Sequence, residues 1–433
     1  MSRSYGLIGC PLGHSFSPQI HSQLGNYEYK LNELSKDELP GFMKDKPLDG
    51  FNVTIPYKLE VMPYLDEITD SARRIGAVNT VAKRRDGSLI GDNTDYYGLK
   101  ELLDHAGIAV KGRTVLILGT GGASLMAQTL VSDLGADKIL VASRSPKGKS
   151  DISELITYEA IKSHPEIEVL INATPVGMYP NIDNIPIDLD DVPGCRGVID
   201  IIANPVRSRL VLEAQKRGIP AEGGLRMLIA QAVKASQIFR ENSSDEDMIL
   251  SEDAYDLKKA TDRIMDYLKR DVMNIVFVGM PGSGKTTASN LMHDLTGMPA
   301  IDTDDMIIAR EGKSIPQIFD EIKEAGFRKI EKEIVKEASL KTGHIIATGG
   351  GAILSEENRR HLKNNGYVVY LDAPVDILAT DGRPLSKSRE ALIEMRQFRQ
   401  PLYEDAADVR VEISEDYKKC IEDIKDILGV FFR

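Results

Sequence analysis

Two glycine-rich turns of different chemistry stand on one chain. The string Gly279-Met280-Pro281-Gly282-Ser283-Gly284-Lys285-Thr286 has the G-x-x-x-x-G-K-T spacing of a loop that wraps the phosphates of a nucleoside triphosphate. Backbone amides from Gly282 through Ser283 and Gly284 cradle the anion and Lys285 reaches the β- and γ-phosphates. Thr286 holds Mg²⁺ with Thr287 beside it, so the nucleotide is read as ATP. The other turn, Gly119-Thr120-Gly121-Gly122-Ala123-Ser124, offers glycines and helix-start amides but no lysine, which suits the pyrophosphate of a dinucleotide.

Which dinucleotide is decided one strand later. Where an NAD-selective fold places a carboxylate for the ribose 2′-hydroxyl, this chain has Ser143-Arg144-Ser145-Pro146-Lys147. Arginine and lysine suit a 2′-phosphate, so the cofactor is read as NADP(H), with Arg144 able to stack on adenine and pair with phosphate. The competing reading is a solvated basic turn.

Each turn has its own company of polar side chains. Before the first come His14-Ser15-Phe16-Ser17-Pro18, Asn52-Val53-Thr54-Ile55-Pro56-Tyr57-Lys58, Asn79-Thr80 and Asn93-Thr94-Asp95. Hydroxyls, amides, one lysine and one aspartate are what a carboxylated polyol requires: several groups to fix its hydroxyls and one ammonium to give or take a proton. Any member alone reads as a turn or cap residue. After the second turn come Asp302-Thr303-Asp304, Gly326-Phe327-Arg328 and Thr348-Gly349-Gly350-Gly351-Ala352, bringing carboxylate, guanidinium and an open backbone turn.

The elements that must position these groups are legible as pattern. Short β-branched runs at 5–9, 50–54, 114–118, 138–142, 168–172 and 197–201 are separated by helix-length stretches, which predicts a parallel α/β architecture. Strand runs recur at 274–278, 344–348 and 367–371. Between the two series lies the acidic stretch Glu241-Asn242-Ser243-Ser244-Asp245-Glu246-Asp247. After it, Leu257, Ala260, Ile264 and Leu268 fall at helical spacing, predicting a helix over 254–268 rather than a bare linker. The domain junction is placed near 271.

Over roughly residues 4–270 the upstream set resembles the shikimate dehydrogenase family. The resemblance implies an α/β substrate domain, about 1–100 with 225–270, and a Rossmann NADP-binding domain, about 101–224. It implies that Ser15 and Ser17 hold the shikimate carboxylate, that Thr54, Asn79 and Gln231 contact its hydroxyls, and that Lys58 and Asp95 are the catalytic dyad. Lys58 would then protonate the alkoxide formed from 3-dehydroshikimate. Asn172-Ala173-Thr174-Pro175-Val176-Gly177-Met178 and Gly223-Gly224-Leu225-Arg226-Met227 resemble cofactor-side segments, which adds Thr174, Gly224 and Met227 to the NADP site. One departure stands out: Ala203 occupies a position where many relatives carry tyrosine.

Over about 272–433 the chain resembles the shikimate kinase family, a P-loop kinase domain with a parallel sheet, through Arg383-Pro384-Leu385 and Arg399-Gln400-Pro401-Leu402-Tyr403. This implies that Asp302 organises Mg²⁺, that Asp304 takes the acceptor hydroxyl and acts as base, that Arg328 and Arg399 clamp the carboxylate beside Gly349, Gly350 and Gly351, and that Arg383 stabilises the transferred phosphate. Only ten residues separate Asp372 from Arg383, a short lid that predicts some shikimate-independent ATP hydrolysis.

Bulk properties set limits on both readings. At 433 residues with 42% hydrophobic and 28% charged composition, the chain suits two to three ordinary globular domains. A net charge of -12 argues against a nucleic-acid partner. Cys10, Cys195 and Cys420 are scattered, supporting neither a disulfide framework nor a zinc cluster and pointing to the reducing cytoplasm. No apolar run is long enough for a membrane helix, and no signal pattern opens the chain. The leading expectation is a bifunctional enzyme acting on 3-dehydroshikimate and then shikimate, with a homodimer as a candidate assembly. The alternatives are a first site for quinate or another cyclic polyol, or one module that only binds ligand.

Overall fold

The computed structural model describes residues 4–13, 15–145, 151–242, 248–378 and 389–431. The chain divides into two compact units, one of residues 1–204 with 213–265, the other of 205–212 with 266–433.

The first unit holds two six-stranded sheets. One orders its strands as Glu28–Glu33, Ser4–Gly9, Gly50–Val53, Thr80–Lys83, Leu89–Asp92 and Glu67–Ile68. The runs expected at 5–9 and 50–54 pair in parallel, while Thr80–Lys83 runs antiparallel to both of its neighbours. The five residues from Arg84 to Ser88 are too few for a parallel crossover and make a hairpin instead. Ile8, Phe51, Val53, Val78 and Val81 form the buried core beside this sheet.

The other sheet is parallel throughout, in the order Ala221–Gly223, Gly197–Asp200, Ile167–Asn172, Thr114–Leu118, Lys138–Ala142 and Glu154–Ile156. Its chain order reverses between Thr114–Leu118 and Ile167–Asn172, the switch point at which doubly wound sheets leave a crevice for a ligand. Thr114–Leu118 is buried at every position, as a continuous apolar run in the middle of such a sheet should be.

The second unit has one parallel sheet, ordered Ala300–Asp302, Ile345–Ala347, Asn274–Val278, Gly366–Asp372 and Val409–Glu412. Its central strand feeds the phosphate loop and the helix Lys285–Thr296, which ends on Gly297 at φ 68°. The expected helix over 254–268 runs from Leu257 to Val272, with Ala260, Ile264 and Leu268 fully buried. Among the described residues no helix is long and apolar enough to cross a membrane, and all three cysteines are free.

Candidate functional sites

In the first unit the strand Gly50–Val53 runs into a turn that carries Lys58, whose carbonyl accepts from the amide of Val78. Asp95 opens the helix Asp95–His105, so its carboxylate stands where backbone N–H groups lack intrahelical partners. Lys58 Nζ meets Asp95 Oδ2 at 2.6 Å, with 28% and 17% of the two side chains exposed. A half-buried ion pair of this kind holds an ammonium in one orientation while leaving it reachable by a substrate.

A buried polar layer lies beside the pair. Asn79 Oδ1 accepts from Thr94 N at 2.6 Å and from Thr94 Oγ1 at 3.1 Å, which fixes its amide with Nδ2 as the donor end. Thr94 Oγ1 lies 3.3 Å from Gln231 Oε1, on the helix Leu225–Asn242 that packs along Asp95–His105. Ser15 and Ser17 pair with each other, Oγ to Oγ at 3.1 Å. Thr54 anchors its turn through backbone bonds to Ile8 and Tyr57. His14 lies outside the described residues.

On the cofactor side, Gly119 has φ 99°, and a Cβ there would come within 2.9 Å of the Thr174 methyl. At Gly121 and Gly122, which begin the helix Gly122–Asp133, a Cβ would meet nothing within 4 Å. Their bareness serves no contact within the protein and keeps backbone open for an incoming group, which fits a dinucleotide pyrophosphate. Ala123 is half-buried and Ser124 fully buried, its hydroxyl accepting from Gln128 at 3.1 Å, so its amide rather than its side chain remains for a ligand. Ser143 caps the turn by accepting from Ser145 N at 3.2 Å and leaves Arg144 exposed between them. Pro146 and Lys147 lie outside the described residues. Gly224 is required by close approach, since a Cβ would stand 2.0 Å from the carbonyl oxygen of Ile201. Met227 is 6% exposed and packs in the core with Leu99 and Met126.

In the second unit, every kinase-site residue expected above lines one cavity of about 480 Å³, apart from Ser283, buried beneath the loop, and Arg383, which lies outside the described residues. Lys285 Nζ is held over its loop by the carbonyls of Gly279 and Met280, both at 3.0 Å. The buried Ser283 hydroxyl has no partner among the described residues, and Thr286 Oγ1 lies 3.1 Å from Asp302 Oδ2. A hydroxyl beside a carboxylate is the all-oxygen set that Mg²⁺ takes.

Asp304 sits in the first turn of the helix Thr303–Glu311, which Asp302 caps by accepting from Asp304 N at 2.9 Å. Burial, reinforced by the neighbouring Asp302 carboxylate and opposed by Lys285, pushes the Asp304 carboxyl up to about 6. The three glycines are explained by what surrounds them. A Cβ would fall 2.6 Å from Asp304 Oδ1 at Gly349, 2.8 Å from Pro281 Cδ at Gly350 and 2.3 Å from Arg328 Nη1 at Gly351. Arg399 Nη1 and the Tyr403 hydroxyl both donate to Gly350 O, at 3.0 and 2.6 Å, from the helix Arg389–Ala406.

Two glutamates were not legible as site residues. Arg328 donates to both oxygens of Glu331, at 3.0 and 2.9 Å, and to Glu324 at 3.0 Å, so its guanidinium is already oriented. Burial raises the Glu331 carboxyl against the pull of Arg328. Their signal was present as Glu at four before and three after Arg328, the spacing that shares a helix face. The helix Ile315–Ser339 is broken at Lys323, which has φ 60° and ψ 178°.

Comparison with known proteins gives both halves counterparts. Residues 7–81 match the model of the shikimate dehydrogenase substrate binding domain, and residues 281–428 match that of shikimate kinase. A Clostridium beijerinckii protein named shikimate dehydrogenase (NADP(+)) is 41% identical over 252 residues, covering 56% of this chain and 93% of that one. The crystal structure of a chorismate mutase/shikimate 5-dehydrogenase fusion protein from Clostridium acetobutylicum is similar at 34% identity and TM-score 0.54, covering 62% of this chain and 99% of that one. Shikimate 5-dehydrogenase from Thermus thermophilus, solved with NADP(H) and shikimate, is similar at 28% identity and TM-score 0.52, covering 60% and 99%.

Proposed function

The chain belongs to the shikimate dehydrogenase family and joins to it a shikimate kinase domain, and from that premise we propose how its residues divide two consecutive reactions of aromatic amino acid biosynthesis. Residues 1–270 form the dehydrogenase module and 272–433 the kinase module. When bound, NADPH supplies hydride to the first reaction, and ATP with Mg²⁺ supplies the phosphoryl group to the second.

In the dehydrogenase, Ser15 and Ser17 hold the substrate carboxylate, and Thr54, Asn79 and Gln231 fix its hydroxyls. Lys58, oriented by Asp95, delivers a proton to the oxygen that gains charge at the reduced carbon. The 2.6 Å Lys58–Asp95 contact carries this reading, because it puts a proton donor and its orienting carboxylate in one place. Gly119 through Ser124, Thr174 and Gly224 shape the NADP site and Arg144 recognises the 2′-phosphate.

In the kinase, Asp304 receives the proton of the attacking hydroxyl; a carboxyl raised to about 6 is mostly ionised at neutral pH yet more basic than an ordinary aspartate, which suits a base. Arg328 and Arg399 hold the shikimate carboxylate, and Lys285 and Arg383 neutralise charge on the transferred group. Thr286 and Asp302 hold the metal. Positioning of the acceptor supplies much of the rate in such a transfer. Cytoplasmic residence, where three unpaired cysteines stay reduced, and a homodimer complete the reading; sedimentation velocity decides the latter.

A coupled assay with 3-dehydroshikimate, NADPH, ATP and Mg²⁺ tests the division. Lys58→Ala should abolish NADPH oxidation and spare phosphorylation of added shikimate, and Lys285→Ala should do the reverse. Loss of both activities in either variant would overturn the assignment.

A further inference from the structure

The polar layer beside Lys58 and Asp95 does not end at the substrate residues. Tyr29, on the edge strand Glu28–Glu33, is 8% exposed and donates its hydroxyl to Asn52 Oδ1 at 2.8 Å. Asn52 Nδ2 donates onward to Thr80 Oγ1 at 2.9 Å, and Thr80 Oγ1 lies 2.9 Å from Thr94 Oγ1. Thr94 in turn reaches Asn79 and Gln231 and is the residue immediately before Asp95. Each hydroxyl has one proton, so the start of the chain has a direction: Tyr29 gives to Asn52 and Asn52 to Thr80, after which Thr80 and Thr94 share the acceptors Asn79 Oδ1, at 3.1 Å from each, and Gln231 Oε1. Tyr29 is its donor end.

Behind Tyr29, the imidazole of His21 lies parallel to its ring at 3.8 Å and is fully buried. His21 Nδ1 is 2.7 Å from the Tyr27 hydroxyl, and Nε2 has no partner among the described residues. Burial drives the His21 imidazole down to about 3, so it packs as a neutral plate at any working pH.

We propose that Tyr29, held flat by His21, is a positioning residue of the dehydrogenase, acting through Asn52, Thr80 and Thr94 to set the angle at which Asp95 presents Lys58 to the substrate. Thr94 is held among Thr80, Asn79 and Gln231, and Asp95, the next residue, inherits its placement through the backbone. Without the Tyr29 hydroxyl, Asn52 Oδ1 is left buried without its donor, and its amide can turn over, giving up the bonds that Nδ2 donates to Thr80 Oγ1 and to Asn79 O. This rests on Lys58 and Asp95 being the dyad.

Tyr29→Phe keeps the ring and removes only the hydroxyl. Dehydrogenase turnover, normalised to NADPH-binding sites titrated by fluorescence, should fall about 5- to 20-fold in kcat with KM for 3-dehydroshikimate changed less than about 3-fold, while kinase activity of the same chain is unchanged. Thr94→Val should cause a similar loss, and the double variant should lose no more than either single one. Unchanged kcat in Tyr29→Phe, or losses that multiply in the double variant, would overturn the proposal. Asp95→Asn in the same assay separates the two claims: if it retains full turnover, the dyad itself is wrong whatever Tyr29 does.

Discussion

The two carboxylates proposed for catalysis keep opposite company. Asp95 faces an ammonium 2.6 Å away at the open end of a helix. Asp304 lies near a second carboxylate, Asp302, in the lining of a cavity, and its carboxyl is pushed up to about 6. Both are aspartates in the first turn of a helix that follows a strand, so local sequence treats them alike. Their surroundings fit the different work proposed for them: steering another group's proton for the first, taking a proton for the second.

The sharpest way to break the contrast is to replace each by asparagine. Asp304→Asn should lower kinase kcat by about 10²- to 10⁴-fold, the usual worth of a general base. The same change should raise the melting temperature of the kinase unit at a pH of about 7.5. A carboxyl raised in the folded state binds more protons than the unfolded chain between about pH 4 and 6, so stability declines as pH rises through that window and asparagine escapes the loss. Asp95→Asn should cost dehydrogenase turnover and give no such gain, because it removes a partner from Lys58. Calorimetry beside steady-state rates checks both, and equal stability changes would erase the distinction.

Cofactor choice offers the next test. Arg144→Ala should reduce the preference for NADPH over NADH by about 10- to 100-fold in kcat/KM and leave the kinase untouched, since losing a charge-assisted phosphate pairing costs roughly 1.5–3 kcal/mol. A preference that does not move would assign Arg144 to solvent.

Solution pH should divide the two activities within a single sample. Kinase kcat/KM should decline by up to about tenfold as pH falls from about 7 to about 5 and Asp304 takes up its proton, with no matching inflection near 6 in dehydrogenase rates. Parallel profiles would mean that a shared group, not Asp304, titrates.

The smallest expected effect concerns Lys323, a non-glycine residue at φ 60° and ψ 178°. That backbone region is essentially reserved for glycine, so Lys323→Gly should stabilise the kinase unit by about 1 kcal/mol. A destabilisation on chemical denaturation would show that the lysine side chain outweighs the strain.

Much of the frame was legible because its causes are local. Runs such as Thr114–Leu118 and Asn274–Val278 are buried on both faces, and their unbroken hydrophobicity announces it. The mixed pairing of the first sheet was not, since Thr80–Lys83 shows the same short apolar run whichever way it pairs. The glycine turns announced themselves through backbone demands: Gly119 needs positive φ and Gly224 cannot carry a side chain. Glu324 and Glu331 escaped notice because a glutamate on a charged helix looks like any solvated surface group until the fold buries one of them against Arg328.

What the sequence by itself determined is the set of parts: two phosphate loops, two carboxylate-bearing sets, and the strands that precede them. Their types and spacings are local quantities, and the resemblances they carry are read along the chain. Only tertiary structure decided how charge is distributed among them. Asp95 lies 37 positions from Lys58, and Tyr29 is 23 positions from Asn52, so no local rule connects either pair. Burial and neighbouring charge are properties of the packed interior, and they give two aspartates of like local sequence unlike surroundings.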